Sequence, residues 1–184
     1  MKKDILDRYS RTASGKIIID ISTLKIEDLF NDFDKHAPYW KKELDPDLVD
    51  YIIDSANEIG IADFVIQFRF ATLSDKRLVA RIEGGIRNYF EYLVALEYRK
   101  LKEMTRSSII LSAIGIVILS ISVWINQKNP GSDRIIAHVF AEGLNVAAWV
   151  SLWDASANFL INWAPHRRQI KMYRRICKAE ILFS

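Results

Sequence analysis

Cysteine is almost missing from this 184-residue chain: Cys177 stands alone, so no intramolecular disulfide can form and a cysteine-based structural zinc site within one chain is not expected. A secretory leader is missing too. Met1 to Ser14 is polar and has no apolar core segment, so the N-terminal half is expected to stay in the compartment where it is made. There is no phosphate-binding glycine loop, no nucleophile elbow and no paired His and Glu motif, which argues against hydrolase and nucleotidase readings. No catalytic residue, cofactor or metal is therefore assigned. His36, His138 and His166 are too far apart in sequence to form one local metal site. The acidic group Asp28, Asp32, Asp34, Glu43, Asp45 and Asp47 lacks the glycine and glutamate spacing of a calcium loop and reads as a solvated face. The length accommodates one soluble domain of about a hundred residues and a membrane hairpin, which excludes a second large catalytic domain.

Charge is also absent from Ser107 to Ile125, SSIILSAIGIVILSISVWI, a stretch long enough as a helix to cross roughly 30 Å of hydrocarbon. A second apolar stretch, residues 135–163, follows the polar link 126–134, but it contains Glu142 and Asp154 at depths where carboxylates are costly. Both are expected to span a membrane. Arg99, Lys100, Lys102 and Arg106 precede the first stretch and Arg167, Arg168, Lys171, Arg174, Arg175 and Lys178 follow the second, against Lys128 and Arg134 between them. This bias predicts a multi-pass protein of the plasma membrane with both termini cytoplasmic.

The remaining chain reads as a disordered tail over 1–14 and a cytosolic α/β domain over 15–106, in the order strand, helix, strand, helix. Lys16 to Ser22 (KIIIDIS) is a short buried strand. Leu24 to Leu44, with Pro38 in its middle, is expected to form a short helix and then an irregular loop. A helix restarts with Asp45 as cap and Pro46 in the first turn, and stops at Gly60. Ala62 to Phe70 alternates as a half-buried strand, and from Ser74 onward Leu78, Ile82, Ile86, Tyr89, Leu93 and Leu96 mark the stripe of a long helix leading into the membrane. Gly84 and Gly85 predict a kink or a close contact in it. Two strands make a marginal sheet, so a third is expected, from the region of Asn31 to Trp40 or from a second protomer.

At 100° per residue, Gly143, Ala147, Ser151, Asp154 and Asn158 fall in one stripe, expected to face Ser108, Ser112, Gly115 and Ser122 across the hairpin, with Ser112 as the partner of Asp154. Transfer energies favour a supported second span. About nine Leu, Ile, Val or Phe side chains supply about −4 kcal/mol, against roughly +2.5 to +3.5 for a central Asp. Glu142 shares a different face with Asn145, Trp149, Trp153 and Leu160, which predicts homo-oligomerisation. In a closed ring Glu142 would form an acidic constriction; otherwise it packs in an interface or reaches water near the headgroups.

Residues 164–184 read as a basic interfacial helix, with Arg167, Arg168, Lys171, Arg174 and Arg175 on lipid phosphates and Pro165 marking the exit from the span. The same charge has no motif that would direct it to nucleic acid. The run EGLNVAAWVSLWDASANFLINWAPHRRQIKMYRRI, together with LFNDFD and ELDPDLVDYIIDSA, resembles a widespread family of uncharacterised bacterial two-span inner-membrane proteins with an N-terminal cytosolic domain. That family has an Arg-Pro pair where this chain has Asp154 and Ala155. The resemblance implies inner-membrane placement.

The sequence therefore predicts an α+β membrane protein: a small cytosolic α/β domain, a two-helix transmembrane hairpin and an interfacial tail. The expected role is a homo-oligomeric, non-enzymatic interaction or sensory module that meets a cytosolic protein. The alternative is an ion-conducting oligomer using Glu142 and Asp154.

Overall fold

A computed structural model describes residues 5–34, 37–71, 76–128 and 135–184; His36, Pro130 and Gly131 lie outside them. The elements are β1 (Ile17–Thr23), α1 (Pro46–Ile59), β2 (Phe64–Phe70), α2 (Lys76–Lys128), α3 (Ile135–Lys178) and β3 (Glu180–Phe183). They form two compact units, one of Met1–Leu96 with Gln169–Ser184 and one of Glu97–Arg168. Both chain ends thus belong to the α/β unit.

In that unit three parallel strands lie in the order β1-β2-β3. Ile17, Ile19 and Ile21 of β1 sit beside Phe64, Ile66 and Phe68 of β2, and Ile66 and Phe68 sit beside Ile181 and Phe183 of β3. Because side chains alternate along a strand, this register puts all of these residues on one face. That face is covered by Val49, Ile52 and Ile59 of α1, Ile82, Ile86 and Phe90 of α2, and Met172 and Ile176 of α3. α1 occupies the stretch marked in the sequence: the Asp45 carboxylate accepts from the amides of Asp47 and Leu48, and Gly60 ends the helix at φ 68°, where other residues are strained. The opposite sheet face carries Ile18, Asp20, Val65, Gln67, Arg69 and Leu182; Val65 on the middle strand is fully buried, Ile18, Gln67 and Leu182 are half-buried, and Asp20 and Arg69 are exposed. Parallel sheets are usually covered on both faces.

Four expectations are corrected. The third strand comes from neither Asn31 to Trp40 nor a second protomer: it is β3, the end of the segment expected to lie in the membrane interface. That interfacial helix does not exist as a separate element. α3 continues through Pro165 to Lys178, and its last turns enter the α/β core through Ile170, Met172 and Ile176. The two-helix transmembrane hairpin is overturned as well. Among the described residues only α2, over Arg77–Gln127, is long and apolar enough to cross a membrane. α3 carries Glu142, Asn145, Asp154, Asn158 and Asn162 among its apolar residues. Residues 5–14, expected as part of a disordered tail, fold onto the unit: Leu6 and Tyr9 pack on the core, Tyr9 Oη donates to Glu58 at 2.6 Å, and Arg11 pairs with Ile17.

α2 runs unbroken through the glycine pair. The contact there is with the loop after β1, where Phe30 and Tyr39 meet edge to face at 5.5 Å and Lys42 and Arg81 lie 5.1 and 5.2 Å from the Tyr39 ring. A Cβ on Gly85 would stand 2.7 Å from the Tyr39 carbonyl oxygen, whereas one on Gly84 meets nothing within 4 Å. The adjacent glycines therefore respond with opposite signs. Gly84→Ala is expected to stabilise by up to about 1 kcal/mol through helix propensity. Gly85→Ala forces the loop off the helix and costs about 1–3 kcal/mol, less that gain. Thermal unfolding of the two variants checks this, and equal shifts would contradict the contact.

Candidate functional site

Within the second unit α2 and α3 run antiparallel, joined by a seam with a seven-residue repeat. Ser108, Gly115 and Ser122 are buried on α2, and Ala141, Ala148 and Ala155 on α3. The contacts fix the register. A Cβ on Gly115 would lie 3.3 Å from the Ala148 carbonyl oxygen, and Ser122 Oγ donates to the Ala141 carbonyl at 2.7 Å. Each step back along α2 is matched by an equal step forward on α3, so the same register sets Ser108 opposite Ala155 and, eleven residues further on each helix, Glu97 opposite His166. Small residues at each crossing let the backbones approach.

The last of these positions holds the most concentrated chemistry in the unit. The Glu97 side chain is 4% exposed; its Oε1 lies 2.5 Å from His166 Nδ1 and its Oε2 3.2 Å from Lys100 Nζ. A carboxylate buried this deeply needs such partners, because an unpaired charge in the interior is strongly destabilising. The trio ties the two helices together.

The structure separates the residues the sequence grouped. The α2 side of the seam contains the expected Ser108, Gly115 and Ser122, with Ser112 half-buried beside them. The α3 side is a different stripe. Gly143, Ala147, Asp154 and Asn158 are exposed, as is Glu142, while Asn145 is half-buried at the seam's margin. Among the described residues Asp154 makes no bond to Ser112, and Asn158 Oδ1 accepts from Asn162 Nδ2 at 2.7 Å. The seven-residue spacing of Ala141, Ala148 and Ala155 was the signal in the sequence, matching Ser108, Gly115 and Ser122 on α2. His138 is exposed on α3.

Of the five basic residues expected on lipid, Arg175 serves the fold. Its guanidinium donates to the carbonyls of Gly60 and Ala62, the latter at 2.7 Å, and lies 5.2 Å from the Phe64 ring. Arg167 lies 4.9 Å from the Trp163 ring, and Arg168, Lys171 and Arg174 are exposed. Arg87, on α2, donates to the carbonyls of Cys177 and Ala179 and holds the end of α3 against the sheet. Burial, with Glu91 nearby, pushes the Cys177 thiol above its ordinary range, which disfavours the reactive thiolate.

A polar basin of about 360 Å³ opens at the amino ends of the strands between Lys16, Asp63, Arg175, Lys178 and Glu180. Open α/β sheets bind ligands at the opposite, carboxyl ends. Two of its cations are already engaged, Lys16 by Glu180 at 3.0 Å and Arg175 by the carbonyls above. Three of the clustered acids serve the backbone: Asp28 accepts from the amide of Lys25, Asp34 from that of Glu43, and Asp45 caps α1. Among the described residues no three His, Cys, Asp or Glu side chains come together to hold a metal. Comparison with protein-family models, with curated proteins and with solved structures gave no match.

Proposed function

We propose that the protein is a membrane-anchored interaction or sensory module of a bacterial inner membrane, acting as a homo-oligomer without catalysing a reaction. One observation carries this reading. α2 is a single helix whose first turns place Ile82, Ile86 and Phe90 in the α/β core and whose later turns form the uncharged stretch Ser107 to Ile125. The element that would anchor the protein is thus also part of its soluble core. The basic residues before that stretch support a cytoplasmic location for the α/β unit. A contact with a cytosolic protein is assigned to the second sheet face, where the half-buried Ile18 and Leu182 lie with the exposed Asp20–Arg69 ion pair at 2.9 Å; its mixed composition matches a transient interface.

Oligomerisation is supported by the outward side of α3, where Val146, Trp149, Val150 and Trp153 are each more than 60% exposed next to Glu142 and Asp154. The same side favours a second reading, an ion-conducting oligomer, since neither carboxylate is consumed within the helix pair. The test is the mass of the full chain in a membrane mimetic, with Glu142→Ala and Asp154→Ala beside wild type and Glu142→Gln assayed for ion flux in vesicles. The module reading expects an oligomer, weakened by the Ala variants, with no flux. Flux that changes in Glu142→Gln would replace it with the channel, and a monomeric wild type would remove both assemblies.

A further inference from the structure

We propose that Lys102 and Arg106 form a binding site for the phosphate headgroup of an anionic phospholipid, whose acyl chain lies along Ile109 and Ile110. The inference rests on the membrane reading above. Four basic residues lead into the uncharged stretch of α2, and the structure divides them into two pairs. Arg99 is held by Glu103 at 3.0 Å and Lys100 by the buried Glu97 at 3.2 Å. Lys102 and Arg106 pair with no acid among the described residues. They lie one helical turn apart, a separation of about 5–6 Å between Cβ atoms that lets both reach one phosphate.

Their surroundings fit a lipid better than a free anion. An open cleft of about 650 Å³ runs along this side of α2 from Tyr98 past Lys102 and Arg106 to Ile109 and Ile110. Ile109 and Ile110 are 64% and 49% exposed at the start of the stretch long enough to enter a membrane. Thr105, between the two cations, donates its hydroxyl to the Leu101 carbonyl at 2.8 Å, which leaves the cations as the free donors of the cleft. Arg supplies a planar fork for phosphate oxygens and Lys a point charge on a flexible stem that follows the headgroup. An apolar wall that begins where the charge ends is what a phospholipid presents in mirror image. The site therefore differs from the one expected on Arg167 to Arg175, whose last member is spent on Gly60 and Ala62.

The experiment uses the full chain, delipidated in detergent and titrated with phosphatidylglycerol or, as the zwitterionic control, phosphatidylcholine, with bound lipid read by native mass spectrometry. Lys102→Gln/Arg106→Gln is expected to lower phosphatidylglycerol affinity about thirty-fold, the equivalent of about 1 kcal/mol per basic residue, and to leave phosphatidylcholine unchanged. Arg167→Gln/Arg168→Gln, with the same loss of charge, is expected to keep most of the affinity, and Lys102→Arg/Arg106→Lys to restore it. Equal losses in the two Gln double variants, or no loss in the first, would overturn the site. Fractionation of alkaline-washed membranes separates the two levels: wild type found only in the soluble fraction sinks the anchoring itself, whereas anchored protein with unselective lipid binding sinks only this site.

Discussion

Truncation after Ala179 is expected to unfold the α/β unit. The five residues removed supply one of three strands and leave β1 and β2 as a two-stranded sheet, which is marginal in water. Ile181 is buried in the core, and Phe183 stacks on Phe68 at 5.7 Å and on Phe70 at 6.2 Å. Ser184 closes the pairing, its amide donating to Phe68 and its carbonyl accepting from Phe70. Losing a buried Ile and a stacked Phe costs about 5 kcal/mol or more, the same order as the 5–15 kcal/mol that holds a typical domain folded. Hydrogen exchange over Ile17–Thr23 and Phe64–Phe70 is the measurement. Exchange approaching that of an unfolded chain is the expected result, with Phe183→Ala intermediate. Unchanged protection would mean that the C-terminal segment lies elsewhere, as a membrane-surface tail would.

Leucine at position 115 is expected to part the two long helices, while leucine at 143 leaves them paired. A Cβ on Gly115 would already stand 3.0 Å from Leu152 Cγ and 3.3 Å from the Ala148 carbonyl oxygen. Leu152 can turn aside, but the backbone of α3 cannot, so three further carbons have to push the helices apart. Overpacking of this kind costs about 1–3 kcal/mol, which lowers Tm by about 3–10 °C in a chain of this length. Gly143 has nothing within 4 Å of its Cβ position, so Gly143→Leu should gain up to about 1 kcal/mol from helix propensity. Thermal unfolding in a membrane mimetic followed by helical circular dichroism decides between them. A larger loss in Gly143→Leu would restore the stripe through Gly143 and Asp154 as the helix interface.

Local elements were legible wherever neighbours in sequence dictate them. The Asp45 cap, Pro46 and the Gly60 stop bound α1, and the alternation of Phe64, Ile66 and Phe68 marked β2 and its buried face. The charge-free stretch Ser107 to Ile125 marked the one described helix able to cross a membrane. Pairings between distant segments were not legible. Glu180–Phe183 is too short for period-two alternation to stand out from the helical pattern before it, and only its place beside β2 makes it a strand. The stripe through Gly143 and Asp154 lies about 100° round the helix from Ala141, Ala148 and Ala155, far more than the roughly 20° per heptad between 3.6- and 3.5-residue periods, so packing against α2 chose a different face of α3.

The sequence by itself determined the composition of each segment: an acid-capped helix, two apolar strands, an uncharged stretch of membrane-crossing length and a second apolar stretch interrupted by carboxylates, which by sequence also reads as a span. The tertiary structure decided which acids and bases are left over. Arg175, Lys100 and Arg99 look no different in sequence from Lys102 and Arg106, yet the first three are engaged by carbonyls or carboxylates and the last two face an open cleft. A charge is available to a ligand only when folding supplies no nearer partner, and the nearest partner is set by register and burial.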